Sequence, residues 1–149
     1  MNEIDLRLEE RAKAGNPVQV AIIGAGQMGS EIITQIGMMR GMEVVAVVDL
    51  TMDKAMAGFS ALPGKVEPRA ASTIEEAEKA QAGGHPIVST DYKIAVGLSG
   101  VEALVDATGS TDMGAVVSLE CIHKKKHIIM MNVECDVTIG PILRRMAED

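Results

Sequence analysis

The sequence predicts an α/β fold, a doubly wound and mostly parallel sheet with helices on both faces. Three observations carry that expectation. Apolar runs rich in β-branched residues alternate along the chain with segments of helical spacing. The clearest runs are nearly continuous, as strands covered on both faces are. A glycine cluster, Gly24-Ala25-Gly26-Gln27-Met28-Gly29, stands between the first run and the helical segment after it. Alternating strands and helices imply parallel units joined by right-handed crossovers.

Taken in order, Ile4 to Ala14 has helical spacing and stops at Gly15-Asn16-Pro17, so residues 1–16 form a helical lead-in. Val18–Ile23 is the first strand, Met28–Met39 a helix, and Glu43–Val48 a second strand that ends on Asp49. Thr51–Gly58 reads as a helix, and Pro63-Gly64 breaks the pattern. Ser72 and Glu75 have the spacing of a capping box for a helix running to Ala82. Ile87–Ser89 is a short strand and Asp91–Leu98 a short helix. Val101–Ala107 is a strand, Met113–Lys125 a helix and His127–Asn132 a strand. The last helix is expected over Val137–Glu148, with Pro141 in its first turn, where a missing N–H costs little.

Composition bounds the function. The 149 residues suit one domain with a real core, and 47% apolar with 23% charged is ordinary for a globular protein. One Tyr, one Phe and no Trp leave an aliphatic core, and most of the eleven Met lie in apolar runs that read as core. A net charge of −7, with no basic stripe beyond Lys124-Lys125-Lys126, argues against nucleic acid as a partner. That triplet follows a helix, where cations complement the negative end of the dipole. Cys121 and Cys135 lack metal-ligand spacing and read as free thiols of a cytoplasmic protein. The charged N-terminus has no apolar core of a signal peptide, and no apolar run approaches the ~20 residues needed to span a membrane.

The glycine cluster fits G-x-G-x-x-G. Its first glycine permits the turn, the second admits a pyrophosphate to the backbone, and the third lets helix pack on strand. Exposed amides and the positive helix end then hold the phosphates. The pattern is weak alone, but here a strand precedes it, a helix follows, and Asp49 closes the next strand twenty residues past Gly29. Together these predict a Rossmann-type fold with Gly24, Ala25, Gly26, Gln27, Met28 and Gly29 on the cofactor phosphates and Asp49 on the adenosine ribose. A carboxylate there accepts from both ribose hydroxyls of NAD and repels a 2′-phosphate, so NAD is favoured over NADP. Lys54 is the nearest cation. A ligand-free turn and a strand-end cap are the bland alternatives.

Ligands of doubly wound sheets lie beyond the carboxyl ends of the strands. Thr108, Gly109 and Ser110, which follow Asp106, are therefore expected along the cofactor, though a plain turn explains Gly109 equally well. Asn132 and Glu134 follow the next strand and are the polar groups there suited to an amide or a substrate. The alternative is that Asn132 turns the chain while Asp136 caps the last helix. His85, His123 and His127 read as surface or structural histidines. Cys135 invites a thiol nucleophile, but no histidine is placed to activate it.

These residues also resemble a family. MNEIDLRLEERAKAGNPVQVAIIGAGQMGSE, VDATGS and MMNVECDVTIGPIL resemble homoserine dehydrogenase-like oxidoreductases that carry a C-terminal SAF domain. Its members include reductoisomerase-like enzymes that make methylerythritol phosphate from deoxyxylulose phosphate with NADPH. The resemblance implies a cofactor domain, residues 1–149, of a longer NAD(P)-dependent oxidoreductase acting on a small hydroxy or oxo substrate. It assigns Gly24–Gly29, Asp49, Thr108–Ser110, Asn132 and Glu134 along the cofactor and its far end, and implies a homo-oligomer through regions beyond this chain. True homoserine dehydrogenases place a Thr-Ala-Asn-Lys-like segment where this chain reads Met-Asn-Val-Glu, which argues against homoserine as substrate. A non-catalytic NAD(H)-binding regulatory or redox-sensing module is the rival reading.

Overall fold

The computed structural model describes residues 2–60, 62, 64 and 66–149. Pro63 of the expected Pro63-Gly64 break lies outside them, as does Met1. The elements run α1 (Glu3–Lys13), β1 (Val18–Ile23), α2 (Gln27–Met38), β2 (Met42–Val48), α3 (Met52–Phe59), β3 (Arg69–Ala70), α4 (Ile74–Ala82), β4 (Ile87–Ser89), α5 (Tyr92–Gly97), β5 (Ala103–Asp106), α6 (Thr111–His123), β6 (His127–Met130) and α7 (Val133–Glu148). Among the described residues, six strands form one sheet in the order β3-β4-β2-β1-β5-β6, with every pairing parallel. This is the expected α/β doubly wound fold of Rossmann type.

Each face of the sheet carries its own apolar layer. Val20 and Ile22 of β1, with Val44 and Val47 of β2, pack against Ile33 and Ile36 of α2 and Ala55 and Phe59 of α3. Ala21 and Ile23, with Val45, Ala46 and Val48, meet Ala77 of α4, Ala95 of α5 and Val117 and Cys121 of α6. Successive strand residues point to opposite faces. Val45 and Ala46 break that alternation because the β1–β2 register shifts between Val20 and Ala21, leaving Val45 as a bulge.

No methionine belongs to the buried core of the described residues, contrary to expectation; Met28, Met38, Met39, Met56, Met131 and Met146 are exposed. The interior is filled by Val, Ile, Ala and Leu, whose fixed shapes leave few irregular gaps for a flexible thioether.

Several boundaries differ from those expected. The capping box of α4 is displaced by one residue: the Thr73 hydroxyl accepts from the Glu76 amide at 3.1 Å, and the Glu76 carboxylate accepts from the Ser72 amide at 2.9 Å. The two-residue β3 adds an exposed edge beside β4, which the short, polar sequence there did not signal. Helix α7 starts at Val133, four residues early, because Asn132 caps it and accepts from the Cys135 amide at 3.2 Å. Asp136 is therefore not its cap, and Pro141 lies in the helix interior. The carbonyl of Val137 that Pro141 cannot satisfy sits on an exposed stretch of α7, where water can reach it. No helix of the described residues is long and apolar enough to cross a membrane.

The level ends of the strands position the site. Ile23 is in register with Val48 and Asp106, Val48 with Ser89, and Asp106 with Met130. The ladder continues one residue further, through Gly24 N–H to Val48 O, Ala107 N–H to Ile23 O and Met131 N–H to Asp106 O. Five strand-to-helix turns, after β1, β2, β4, β5 and β6, thus start on one level. Strand order reverses between β1 and β5, which opens the crevice where such sheets bind ligands.

Candidate functional site

A cleft of about 360 Å³ opens at that crevice. Gly24 and Gly26 line it on one side, Asp49, Leu50 and Lys54 at one end, and Ala107, Thr108, Ser110 and Met113 on the other side. Thr90 and Tyr92, after β4, close it. The sequence reading missed Leu50, Thr90, Tyr92 and Met113. Only the level strand ends bring them to the site, and no local motif marks them.

The three glycines are required for different reasons. Gly24 has φ +97°, and a Cβ there would lie 2.7 Å from Ala107 O, so it serves both the turn and the approach of the neighbouring turn. A Cβ on Gly29 would overlap the Gly24 carbonyl oxygen, so α2 can pack on β1 only with hydrogen at that position. Gly26 has an ordinary φ of −70°, and a Cβ there would meet no atom within 4 Å. Nothing in the protein itself requires a glycine at 26. It borders open cleft.

The amide donors around this turn are arranged for an acceptor. Among the described residues, six of the seven helices have an N-cap side chain that accepts from the first turn: Asn2, Thr51, Thr73, Asp91, Ser110 and Asn132. Helix α2 begins at Gly26 with none. The Gln27 and Met28 amides have no hydrogen-bond partner among the described residues. Open N–H groups at a helix start, with the positive end of the dipole behind them, favour an anion.

Asp49 is half-buried beside the turn, and its Oδ2 accepts from the Ala25 amide at 2.7 Å. That bond ties the end of β2 to the glycine turn and leaves Oδ1, which has no partner among the described residues, able to accept from a hydroxyl. Lys54, exposed on the first turn of α3, lines the same end of the cleft.

On the opposite wall, Asp106 is fully buried, and its Oδ1 accepts from the Thr108 amide at 3.0 Å and the Thr108 hydroxyl at 2.7 Å. Asn132, 1% exposed, donates Nδ2–H to Asp106 Oδ2 at 3.0 Å and to Ser110 O at 2.7 Å. Asn132 was expected along the cofactor, but its amide is spent within the protein. It stands behind the Thr108–Ser110 turn, outside the cleft lining. Glu134 is exposed on the first turn of α7, also outside that lining.

The cysteines are unsuited to nucleophilic chemistry. Burial pushes the Cys121 thiol up to about 11, and burial, with the nearby Asp106 charge, raises Cys135 as well. His85 lies outside the cleft lining, where its Nδ1 donates to the Glu67 carbonyl oxygen at 3.0 Å. Among the described residues no group of His, Cys, Asp and Glu is placed to hold a metal ion.

No protein-family model and no curated protein sequence matches this chain. Solved structures do. The chain is similar to a homoserine dehydrogenase from Thiobacillus denitrificans, with 17% identity over 89% of this chain and 27% of that one, at a TM-score of 0.59. It is similar to a 3-ketoreductase from Actinomadura kijaniata in complex with TDP-benzene and NADP, with 16% identity over 89% and 36% of the two chains, at 0.62. An NAD-binding protein from Listeria innocua gives 20% identity over 88% and 33%, at 0.56. The chain thus spans about a third of the length of these structures. At such identities the likeness establishes the shared fold, a parallel sheet of Rossmann type.

Proposed function

We propose that this chain is the dinucleotide-holding part of an NAD(P)-dependent oxidoreductase. Gly26 carries the reading: it is a glycine that the protein's own packing does not need, placed where the second glycine of the motif admits a pyrophosphate. The Gln27 and Met28 amides and the start of α2 would hold the phosphates. Asp49 Oδ1 would accept from the adenosine ribose, with its Oδ2 already fixed by Ala25. Thr108, Gly109 and Ser110 would border the remaining length, and Asn132 would act on the ligand only through them. The bound nicotinamide would supply hydride chemistry at a carbonyl or hydroxyl carbon; this chain's residues bind and orient it.

The Asp49 carboxylate favours NAD, since it would repel a 2′-phosphate. Lys54 in the same cleft is the group through which NADP would be accepted. The full protein would be longer and homoserine dehydrogenase-like, with a SAF domain and further regions that bind a small hydroxy or oxo substrate and join copies. What supports that reading is the resemblance of the segments at the two ends of this chain, MNEIDLRLEERAKAGNPVQVAIIGAGQMGSE and MMNVECDVTIGPIL, to that family. Glu134 is the acid it would offer such a substrate from outside the cleft.

A non-catalytic NAD(H)-binding module is favoured by one feature. Among the described residues, the ionisable side chains lining the cleft are Asp49, Lys54 and Tyr92, so the wall of Ala107, Thr108, Ser110 and Met113 lines it with no acid or base. By itself the chain is expected to bind cofactor without turnover.

Calorimetric titration with NADH, NADPH and adenosylmethionine tests this. NADH is expected to bind and adenosylmethionine, which has no pyrophosphate, is not. Gly26→Val should melt like the wild type yet lose at least about 100-fold in affinity, roughly 2.7 kcal/mol. A folded wild-type chain that binds neither nicotinamide nucleotide, or a Gly26→Val chain that binds as well, would sink the proposal.

A further inference from the structure

Asp106 and Asn132 form a closed unit that the nucleotide reading does not use directly. Asp106 is a fully buried carboxylate with no ion-pair partner among the described residues. Burying such a group is costly unless its oxygens are well bonded. Here both are, and every donor comes from the turn after β5 or from Asn132. The Thr108 hydroxyl gives its hydrogen to Asp106 Oδ1 and accepts from the Ser110 amide at 3.3 Å. Asn132 holds the other end of the turn by its bond to Ser110 O. What the turn leaves open is the Gly109 amide, which has no partner among the described residues, and the hydrogen of the Ser110 hydroxyl.

A glycine on α6 is fitted to this unit. A Cβ on Gly114 would lie 2.6 Å from Asp106 Oδ2 and 2.8 Å from both Asn132 Nδ2 and Cys135 Sγ. Helix, turn and the cap of α7 thus meet at two buried polar side chains with no room to shift. Fully satisfied buried networks fix one arrangement of the groups around them.

We propose that Asp106 and Asn132 are positioning residues for the nucleotide: they fix the turn that presents the Ser110 hydroxyl at the cleft wall, with the open Gly109 amide next to it, without touching the ligand. The inference rests on the dinucleotide reading of the cleft. It makes affinity depend on residues that line no part of the site, and it links the first turn of α7 to ligand binding.

Asp106→Asn turns an amide toward the Asn132 amide, and Asn132→Asp sets two carboxylates against each other while keeping the α7 cap. Each single variant should lose at least about tenfold in NADH affinity, by calorimetry on chains shown to be folded by circular dichroism. The exchanged pair, Asp106→Asn with Asn132→Asp, restores a donor between the two positions and should recover part of the loss. Gly114→Ala presses on the same unit from the helix side, in a helix-favouring substitution, and should weaken NADH severalfold. A merely structural role lowers the melting temperature and leaves the affinity of folded chains unchanged, which would overturn the inference. So would a pair no better than the single variants, or a folded Gly114→Ala chain that binds as wild type. Failure of the wild type to bind NADH or NADPH overturns the reading of the cleft itself, and this inference with it.

Discussion

Two strand-to-helix turns face each other across the cleft and treat their polar groups in opposite ways. The turn after β1 is built from glycines and leaves the first amides of α2 without a cap. The turn after β5 spends its groups on itself: Ser110 caps α6, Thr108 bonds to Asp106, and Asn132 closes it from behind. They touch where a Cβ on Gly24 would strike the Ala107 carbonyl. An uncapped helix start is tolerable where water or an anion can reach the amides. On the proposed dinucleotide reading, the first turn would offer open donors to the ligand and the second would hold its few open donors rigidly toward it. A site needs both, since loose donors lose affinity to ordering and rigid ones without vacancies have nothing to offer.

Gly29→Ala should do the most damage to the first turn. Its Cβ would overlap the Gly24 carbonyl, so the backbone must move, at a cost of about 3 kcal/mol by urea unfolding. Gly26→Val, three residues away, should change stability by less than about 1 kcal/mol while lowering NADH affinity at least about 100-fold. Similar unfolding costs for the two would erase the distinction between a packing glycine and a ligand glycine.

The closed turn has its own test in alkali. The helix it starts, α6, buries Cys121, whose thiol is raised from 9.0 to about 11 by burial. The folded state then holds a proton that the unfolded chain releases. The stability this contributes is complete below about pH 9 and is lost as pH rises toward 11. The unfolding free energy should fall over that window, and Cys121→Ala should flatten the fall. Ser110→Ala should have the smallest effect: loss of the α6 cap costs about 1 kcal/mol, measured by thermal melting. A much larger loss would mean that Ser110 bears on the Asp106–Asn132 unit through more than its carbonyl.

Much of the first turn was legible in the sequence, and little of the second. The glycine spacing, the apolar run before it and Asp49 are local patterns, and each foretold where its residue lies. Asn132 was legible as a polar residue at the end of a strand, but its role was not. The bonds that decide it reach back 22 and 26 residues, to Ser110 and Asp106. Gly114 carried no signal at all, since a glycine inside a helical segment is marked only by what packs against it.

By itself, then, the sequence determined the order of the helices and of every strand but the edge strand β3, the parallel sheet and the glycine turn, because periodicity and turn chemistry act over a few residues. Only the tertiary structure decided which glycine faces open cleft, which helix goes uncapped, and that Asn132 braces the wall it was expected to line. Those outcomes depend on the register that levels β1, β2, β5 and β6, and register is a property of the assembled sheet.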